Sequence, residues 1–508
     1  MRPLSLFVLC VAFLAACGGG YDIVDPMVSQ PIPLPEDGKT DNYISTNARE
    51  YVLTGTAHAP LSEGFDALDD AAKEAAIKSV VDRRLARVVT SAKSAIQDLL
   101  RPHNEGVTGE KANWFIYLKR GAGQAAQSEL TTDGQVRFNF ELELIGSVYL
   151  MSKVAPQEGS ERAFTVAVGE YQGDPAAEQV EITIRGTESQ DAFPRYNELF
   201  EDGVFDLAIH VGGDYNTERL DIDTAKWVVE TLLEGGWTNP MVQSFDDLKI
   251  DSPPFVRTVT VEGRSIEVRV KLVHSDMVTP EEEEKLGASM RESLASYDVV
   301  FYSGHAGSNA GFILDYQPRY EIKAAEFETL ELPSKYQIFV FDGCRTYRTY
   351  VDDMMKNPAK TWDNLDIVTT VNTTPFSAGY YVIWEFLHWF TLSSQDGRHF
   401  PLSWKTILRG VNRRSFKSVH YGVHGVDSNP RLNPHGSDGI ACKPCETDMD
   451  CGAGGNLCLG YRVGGAACGV ACTTDSACPD GYRCARLVDD PDLFYLPKQC
   501  VRRDFICQ

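Results

Sequence analysis

Two apolar runs that stop at glycine-bearing corners constrain this chain most. One reads Asp298-Val299-Val300-Phe301-Tyr302-Ser303-Gly304-His305. The other reads Tyr336-Gln337-Ile338-Phe339-Val340-Phe341-Asp342-Gly343-Cys344-Arg345. β-Branched and aromatic residues without polar alternation suit strands buried on both faces, as in a parallel sheet covered by helices. In such sheets chemistry collects just beyond the carboxyl ends of the strands. An imidazole and a thiol delivered to neighbouring strand ends are the base and nucleophile of a cysteine-dependent reaction. The plainer alternative makes Cys344 a core cysteine and His305 a satisfied loop histidine.

The flanking pattern extends this expectation. Asp206 to Val211 and Ile266 to Val273 read as strands, and Thr224 to Glu234 and Glu281 to Ser296 as helices. Asp366 to Val371 follows as a strand, and Tyr380 to Phe390 and Trp404 to Asn412 close the series as helices. Alternation of this kind predicts an α/β domain over 204–425 with a doubly wound, mostly parallel sheet and right-handed crossovers.

Upstream, Ala72, Ala76, Val80, Leu85, Val88, Ala92, Ile96 and Leu99 recur at helical spacing. Val136 to Leu144 alternates apolar and polar residues, as a strand with one wet face does. Together they predict a small α+β domain over 46–155, loosely similar to small domains of other bacterial envelope lipoproteins. Phe164 to Val168 and Val180 to Ile184 predict a hairpin in a separate small β region over 160–200.

The N-terminus predicts export. Arg2 precedes an apolar stretch from Leu4 to Ala16, too short to span a bilayer and right for a signal peptide over 1–16. Leu14-Ala15-Ala16-Cys17 resembles the bacterial lipobox, which implies cleavage before Cys17 and its lipidation. Acyl chains there would anchor the chain to the bilayer. By the same resemblance Gly18, in place of an inner-membrane retention aspartate, favours the outer membrane or cell surface. Residues 17–45, with Pro31, Pro33 and Pro35, read as a tether. The formal charge of −24 argues against nucleic acid as a partner.

Cysteine placement isolates one thiol. Of 13 cysteines, Cys10 and Cys17 lie at the N-terminus and Cys344 stands alone. Cys442, Cys445, Cys451, Cys458, Cys468, Cys472, Cys478, Cys484, Cys500 and Cys507 crowd the tail. An even set in an exported chain predicts a disulfide framework and leaves Cys344 free. The tail, 440–508, carries a repeat: Cys445-Glu446-Thr447-Asp448-Met449-Asp450-Cys451 returns as Cys472-Thr473-Thr474-Asp475-Ser476-Ala477-Cys478. It resembles cysteine-rich appendages of myxobacterial surface proteins, which implies a separate binding or display module. Its pairing is open from sequence.

The order strand–Ser303-Gly304-His305, then strand–Asp342-Gly343-Cys344-Arg345, resembles the caspase-like clan of cysteine peptidases, which includes caspases, metacaspases, legumains and gingipains. The resemblance spans about 204–415. It implies that Cys344 attacks a peptide carbonyl, that His305 assists, and that the backbone amides of Ala306 and Cys344 form the oxyanion hole. It implies a protein or peptide substrate and no cofactor. The family usually has glycine directly after the histidine, where this chain has Ala306, and often alanine before the cysteine, where it has Gly343. Gly343 is expected to be sterically harmless. Asp342, two before the cysteine, matches an acidic residue that in metacaspases and legumains selects Arg or Lys before the scissile bond. Its alternative role is to cap a local turn. The rival to a membrane-anchored endopeptidase is a non-catalytic surface lipoprotein with the same fold and an adhesive tail.

Two further segments carry weaker signals. Arg345, Arg348, Lys356 and Lys360 read as a solvated loop. His420, His424, Asp427, Asn429, Asn433, His435 and Asp438 match no metal-ligand spacing and read as a linker.

Overall fold

A computed structural model describes residues 21–22, 41–104, 116–118, 124–154, 161–169, 177–187, 191–261, 263–306, 311–393, 397, 399–414, 419–426, 440–452, 455–461, 465–487 and 497–507. The signal peptide, Cys17, Asp427, Asn429, Asn433, His435 and Asp438 lie outside the described residues. No described helix is long and apolar enough to cross a membrane. The chain divides into two compact units: residues 47–188 with 417–420, and the remainder.

In the smaller unit a helix, Asp70–Asn104, covers one face of an antiparallel sheet. Asp69 starts the helix, its Oδ1 accepting the Ala72 amide at 2.8 Å. The buried stripe runs through Val81, Leu85, Val88, Ala92, Ile96 and Leu100. The expected Leu99 is instead exposed, because Ala92, Ile96 and Leu100 continue one face in steps of four. The long strands Ala48–Pro60 and Gln135–Ser147 pair along their whole length. The hairpin Glu161–Val168 and Glu178–Gly186 is not a separate module: Tyr51↔Gly186 through Gly55↔Ile182 join it to this sheet. Val166, Val168, Val180, Ile182 and Ile184 bury their alternate side chains in the core under the helix. A 35-residue helix leaves apolar surface that the shorter domain, ending at 155, would have left uncovered.

The larger unit is built on an eight-stranded sheet, labelled in chain order: β1 Tyr43–Ser45, β2 Val204–Val211, β3 Phe255–Val261, β4 Arg264–His274, β5 Val299–Ser303, β6 Gln337–Asp342, β7 Leu365–Thr370 and β8 Tyr421–His424. Their spatial order is β3-β4-β2-β5-β6-β7-β8-β1. The pairings β4·β2, β2·β5, β5·β6 and β6·β7 are parallel. Those of β3·β4, β7·β8 and β8·β1 are antiparallel, so the sheet is mixed at its margins. The end of the expected tether is therefore a strand, since Gly422↔Ser45 to His424↔Tyr43 stitch it onto the sheet edge.

Alternate residues of β5 explain the unbroken apolar run. Val300 and Tyr302 pack with Leu286, Met290 and Leu294 of the helix Glu284–Ser296. Phe301, pointing the other way, meets Phe386 of the helix Phe376–Phe390 at 5.7 Å. Helices thus cover both faces of β5, and Val299 to Tyr302 are buried throughout.

The tail is oxidised throughout: Cys442–Cys507, Cys445–Cys458, Cys451–Cys468, Cys472–Cys484 and Cys478–Cys500. Within each repeat the first cysteine pairs with the third and the second with the fourth. The aspartate three residues after the first cysteine also repeats its role. Asp448 accepts the Cys458 amide at 2.7 Å, and Asp475 the Cys484 amide at 2.8 Å. The two groups of three close cysteine sulfurs consist of these bonded atoms, so they are not thiolate ligands. The tail is not a detached appendage. Phe400 packs into its apolar cluster with Leu457 and Leu459, and Gly455 lies against Pro401.

Candidate active site

The chain runs from β2 to β4 on one side and then returns to β5 on the other, so the strand order reverses between β2 and β5. A crevice forms at such a switch point because consecutive connections leave in opposite directions. Three corners meet there: Gly212-Gly213-Asp214 after β2, Gly304-His305 after β5, and Gly343-Cys344 after β6. Ser303 is in register with both Val211 and Asp342. The ladder continues into the corners, as the Gly212 amide donates to Ser303 O at 2.8 Å and the Gly304 amide to Asp342 O at 3.0 Å. His305 and Cys344, each two residues past this level, leave adjacent strands together.

Contact between corners explains the residues chosen. A Cβ on Gly212 would lie 2.3 Å from Ile313 O and 2.7 Å from the Tyr302 hydroxyl. That hydroxyl lies 2.6 Å from His305 O and 3.0 Å from Ile313 O, fixing the histidine corner from beneath. A Cβ on Gly343 would lie 2.5 Å from the Ala306 Cβ. Glycine at 343 is thus sterically harmless, as expected, and a larger residue there would meet the Ala306 methyl. The space that a methyl on residue 343 would fill is already taken by the methyl of Ala306. Among the described residues the non-glycines with positive φ are Arg219, Arg345, Cys442 and Phe505, so Ala306 does not need glycine's freedom.

The His305 ring is held on several sides. Its Nε2 lies 3.3 Å from Asp214 Oδ1. A carboxylate only accepts, so Nε2–H is the donor of this bond. Tyr215 stacks on the ring at 4.7 Å, Phe376 meets it edge-on at 4.6 Å, and Tyr316 at 5.5 Å. The Asp214 side chain is fully buried. Its Oδ1 also accepts from the Asn216 amide at 3.1 Å and Asn216 Nδ2 at 2.7 Å. Asp214 escaped the sequence reading, although Gly212-Gly213-Asp214 is a third glycine-bearing polar corner on a strand end. Tyr215, Tyr316 and Phe376 come from three separate segments, and no local spacing signals them.

Cys344 is the free cysteine among the described residues and is half-buried. Its Sγ lies 3.8 Å from Thr374 O. Arg345, at φ 59°, turns the chain sharply after the thiol, and its amide donates to Asn372 O at 3.0 Å. The thiol therefore stands on a tight bend between β6 and the short helix Thr346–Thr349.

Asp342 does not line an open depression. The residue is 4 % exposed, with Oδ2 accepting Ser303 Oγ and Oδ1 accepting the Tyr421 hydroxyl, both at 2.6 Å. Gly379 lies over it, since a Cβ there would be 2.9 Å from Ser303 Oγ and 3.8 Å from Asp342 Oδ2. Both donors are neutral hydroxyls, and burial pushes the carboxyl up to about 6.

The segment after Cys344 is not a solvated loop. It forms helices Thr346–Thr349 and Val351–Met355, and Lys360 is buried with Nζ donating to Lys335 O at 3.1 Å. Of the candidate metal cluster, His424 is buried on β8 with Nδ1 bonded to Asp41 at 2.9 Å, and His420 is buried too. Comparison with family models, with curated proteins and with solved structures finds no match.

Proposed function

We propose that the chain is a cell-envelope cysteine endopeptidase, anchored through Cys17, whose larger unit is a doubly wound domain of the caspase-like kind. One observation carries the reading: Asp214, His305 and Cys344 leave three adjacent, in-register parallel strands at the point where the strand order reverses, with Asp214 bonded to the imidazole. A core cysteine and a loop histidine require no such arrangement.

The residues divide the chemistry as follows. Nδ1 of His305 takes the thiol proton, and Sγ of Cys344 adds to the scissile carbonyl carbon. The carbonyl oxygen becomes an oxyanion, to which the Cys344 and Ala306 amides donate. Each such donor is worth about 2.7–4 kcal/mol in comparable sites. The imidazolium returns its proton to the leaving amine as the C–N bond breaks. Water, deprotonated by Nδ1, then hydrolyses the thioester and frees Sγ. Asp214 orients the ring throughout and stabilises the imidazolium.

Asp342 supports a preference for Arg or Lys before the scissile bond. Among the described residues its carboxylate has hydroxyl donors and no cation, so a guanidinium or ammonium would supply a countercharge. Binding requires the cover formed by Gly379 and Tyr421 to yield to the incoming side chain.

The test uses a library of peptides together with an electrophile that traps nucleophilic thiols. Cleavage after Arg or Lys, with one adduct at Cys344 that disappears in Cys344→Ala, is the expected result. A chain that cleaves nothing in the library and leaves Cys344 unmodified is instead the non-catalytic lipoprotein.

A further inference from the structure

Between Asp396 and Asp427 the chain carries six Lys and Arg residues and no Asp or Glu, although its formal charge is −24. The helix Trp404–Arg414 organises part of this run. Trp404, Ile407, Leu408 and Val411 are its buried side. Lys405, Arg409 and Arg413 recur in steps of four on the outer side, Lys405 half-buried and both arginines exposed. The tail adds Arg486, also exposed. Partial desolvation, and after it the charge of Arg486, lowers the Arg409 pKa, so the two guanidinium groups share one patch. Among the described residues none of these four cations has an ion pair or a side-chain hydrogen bond. Two acids that pack against the helix are already engaged. Asp191 accepts the Lys405 amide at 2.9 Å and Ser403 Oγ at 2.8 Å, and buried Glu385, against Gly410, accepts Trp389 Nε1.

Two ties place this patch beside the proposed lipid anchor. Tyr21, four residues after Cys17, pairs with Leu459 of the tail. Four residues reach at most about 14 Å, so an acyl group on Cys17 stays close to the tail. Phe400 and Pro401, just before the helix, pack on that same tail. At the other end of the helix, Asn412 Nδ2 donates to Thr46 Oγ1 at 2.8 Å, directly after β1, where the chain arriving from Cys17 joins the large sheet.

We infer that this patch docks on a phosphate-bearing lipid surface, that of the bilayer holding the acylated Cys17. The inference rests on the anchor in the proposed function and adds the face that the larger unit turns to the membrane. Guanidinium groups bind phosphate through paired hydrogen bonds. Basic residues are drawn to anionic headgroups within a Debye length, about 8 Å at physiological salt. The same surface repels the acidic remainder of the chain, so the contact orients the molecule. Attachment at Cys17 keeps the local concentration of headgroups high, so a few cations suffice where a free protein would bind weakly.

The test reconstitutes the acylated protein into vesicles of neutral phosphatidylcholine, alone or with phosphatidylglycerol. Exposed arginines are modified with a dicarbonyl reagent and read by mass spectrometry. Arg409, Arg413 and Arg486 are expected to react about fivefold more slowly, or slower still, on the anionic vesicles. Arg83, an exposed arginine of the smaller unit, keeps one rate. The difference vanishes at about 1 M salt, where the Debye length is about 3 Å. In the triple variant Arg409→Gln, Arg413→Gln and Arg486→Gln, checked for unchanged melting temperature, acetylation of Lys405 no longer depends on the lipid. Asp489 and Asp490, which follow Arg486 and lie outside the described residues, stay native in every sample. Equal rates on both vesicles overturn the inference, as does equal slowing at Arg83. Slowing by a soluble acidic peptide on neutral vesicles, with none from phosphatidylglycerol, overturns it in favour of a protein partner. An unacylated chain by intact mass defeats the anchor alone, and the patch is then read with the N-terminus coupled to a lipid.

Discussion

Asp342 illustrates how one buried carboxyl makes stability depend on pH. Its folded-state pKa of about 6 exceeds the ordinary carboxylate value of about 4, because burial outweighs its two hydroxyl donors. The folded chain holds this proton more tightly than the unfolded chain. The resulting stabilisation is complete below about pH 4 and is lost as pH rises through about 6. Asp342→Asn removes that dependence, so the difference in unfolding free energy between wild type and variant should change by about 2.4 kcal/mol from pH 4 to pH 7.5, in favour of the variant at high pH. Denaturant unfolding at both pH values reads this, and a pH-independent difference counts against the assignment. The same substitution should lower kcat/KM for Arg and Lys peptides by more than about a hundredfold, because the countercharge is gone. Asp214 acts differently, through the imidazole. Asp214→Asn should lower kcat by about a hundredfold or more with little change in KM, since it disturbs the tautomer and not substrate binding. An equal rise in KM would place Asp214 outside this role.

At the scale of elements, the corners behave as a packed set. Gly343→Ala drives two methyl groups into one space and should lower activity and stability. Ala306→Gly with Gly343→Ala leaves one methyl in that space and should recover both. A double-mutant cycle with no coupling would show that the corners relax independently. In the tail, the two repeats close with the same cysteine order and the same aspartate–amide bond, so each is one folding unit used twice. Thiol labelling of the denatured, unreduced, acyl-blocked mature protein should find Cys344 alone. Removing Cys451–Cys468 by double serine substitution should cost about 2–4 kcal/mol. The repeat was legible from cysteine spacing. The pairing was not, because spacing leaves every connectivity open and only strand register brings particular sulfurs together.

At the scale of the molecule, the tail and the large sheet belong to one compact unit. Truncation after residue 426 would expose Phe400 and Pro401, so the shortened chain should melt at lower temperature than the full chain. An unchanged melting temperature would restore the picture of a free appendage. The proposed anchor belongs to this scale as well. Intact-mass analysis should give Cys17 as an acylated N-terminus, and Cys17→Ser should release the protein from the membrane fraction.

Sequence alone determined the elements whose signals are local. The buried strands of the large sheet, the long helix from Asp70 and the oxidised tail follow from periodicity, composition and cysteine count, because side-chain burial repeats with the backbone. It also isolated His305 and Cys344, since a polar residue after an unbroken apolar run marks a strand end. Tertiary structure decided which ends meet. Asp214 lies 91 residues from His305, Phe376 comes from a different helix, and Tyr421 reaches Asp342 from another strand. It also decided that the hairpin at 161–186 completes the first sheet and that Ala306 and Gly343 share one space. These outcomes depend on register and on packing between segments distant in sequence, and no window of neighbouring residues encodes them.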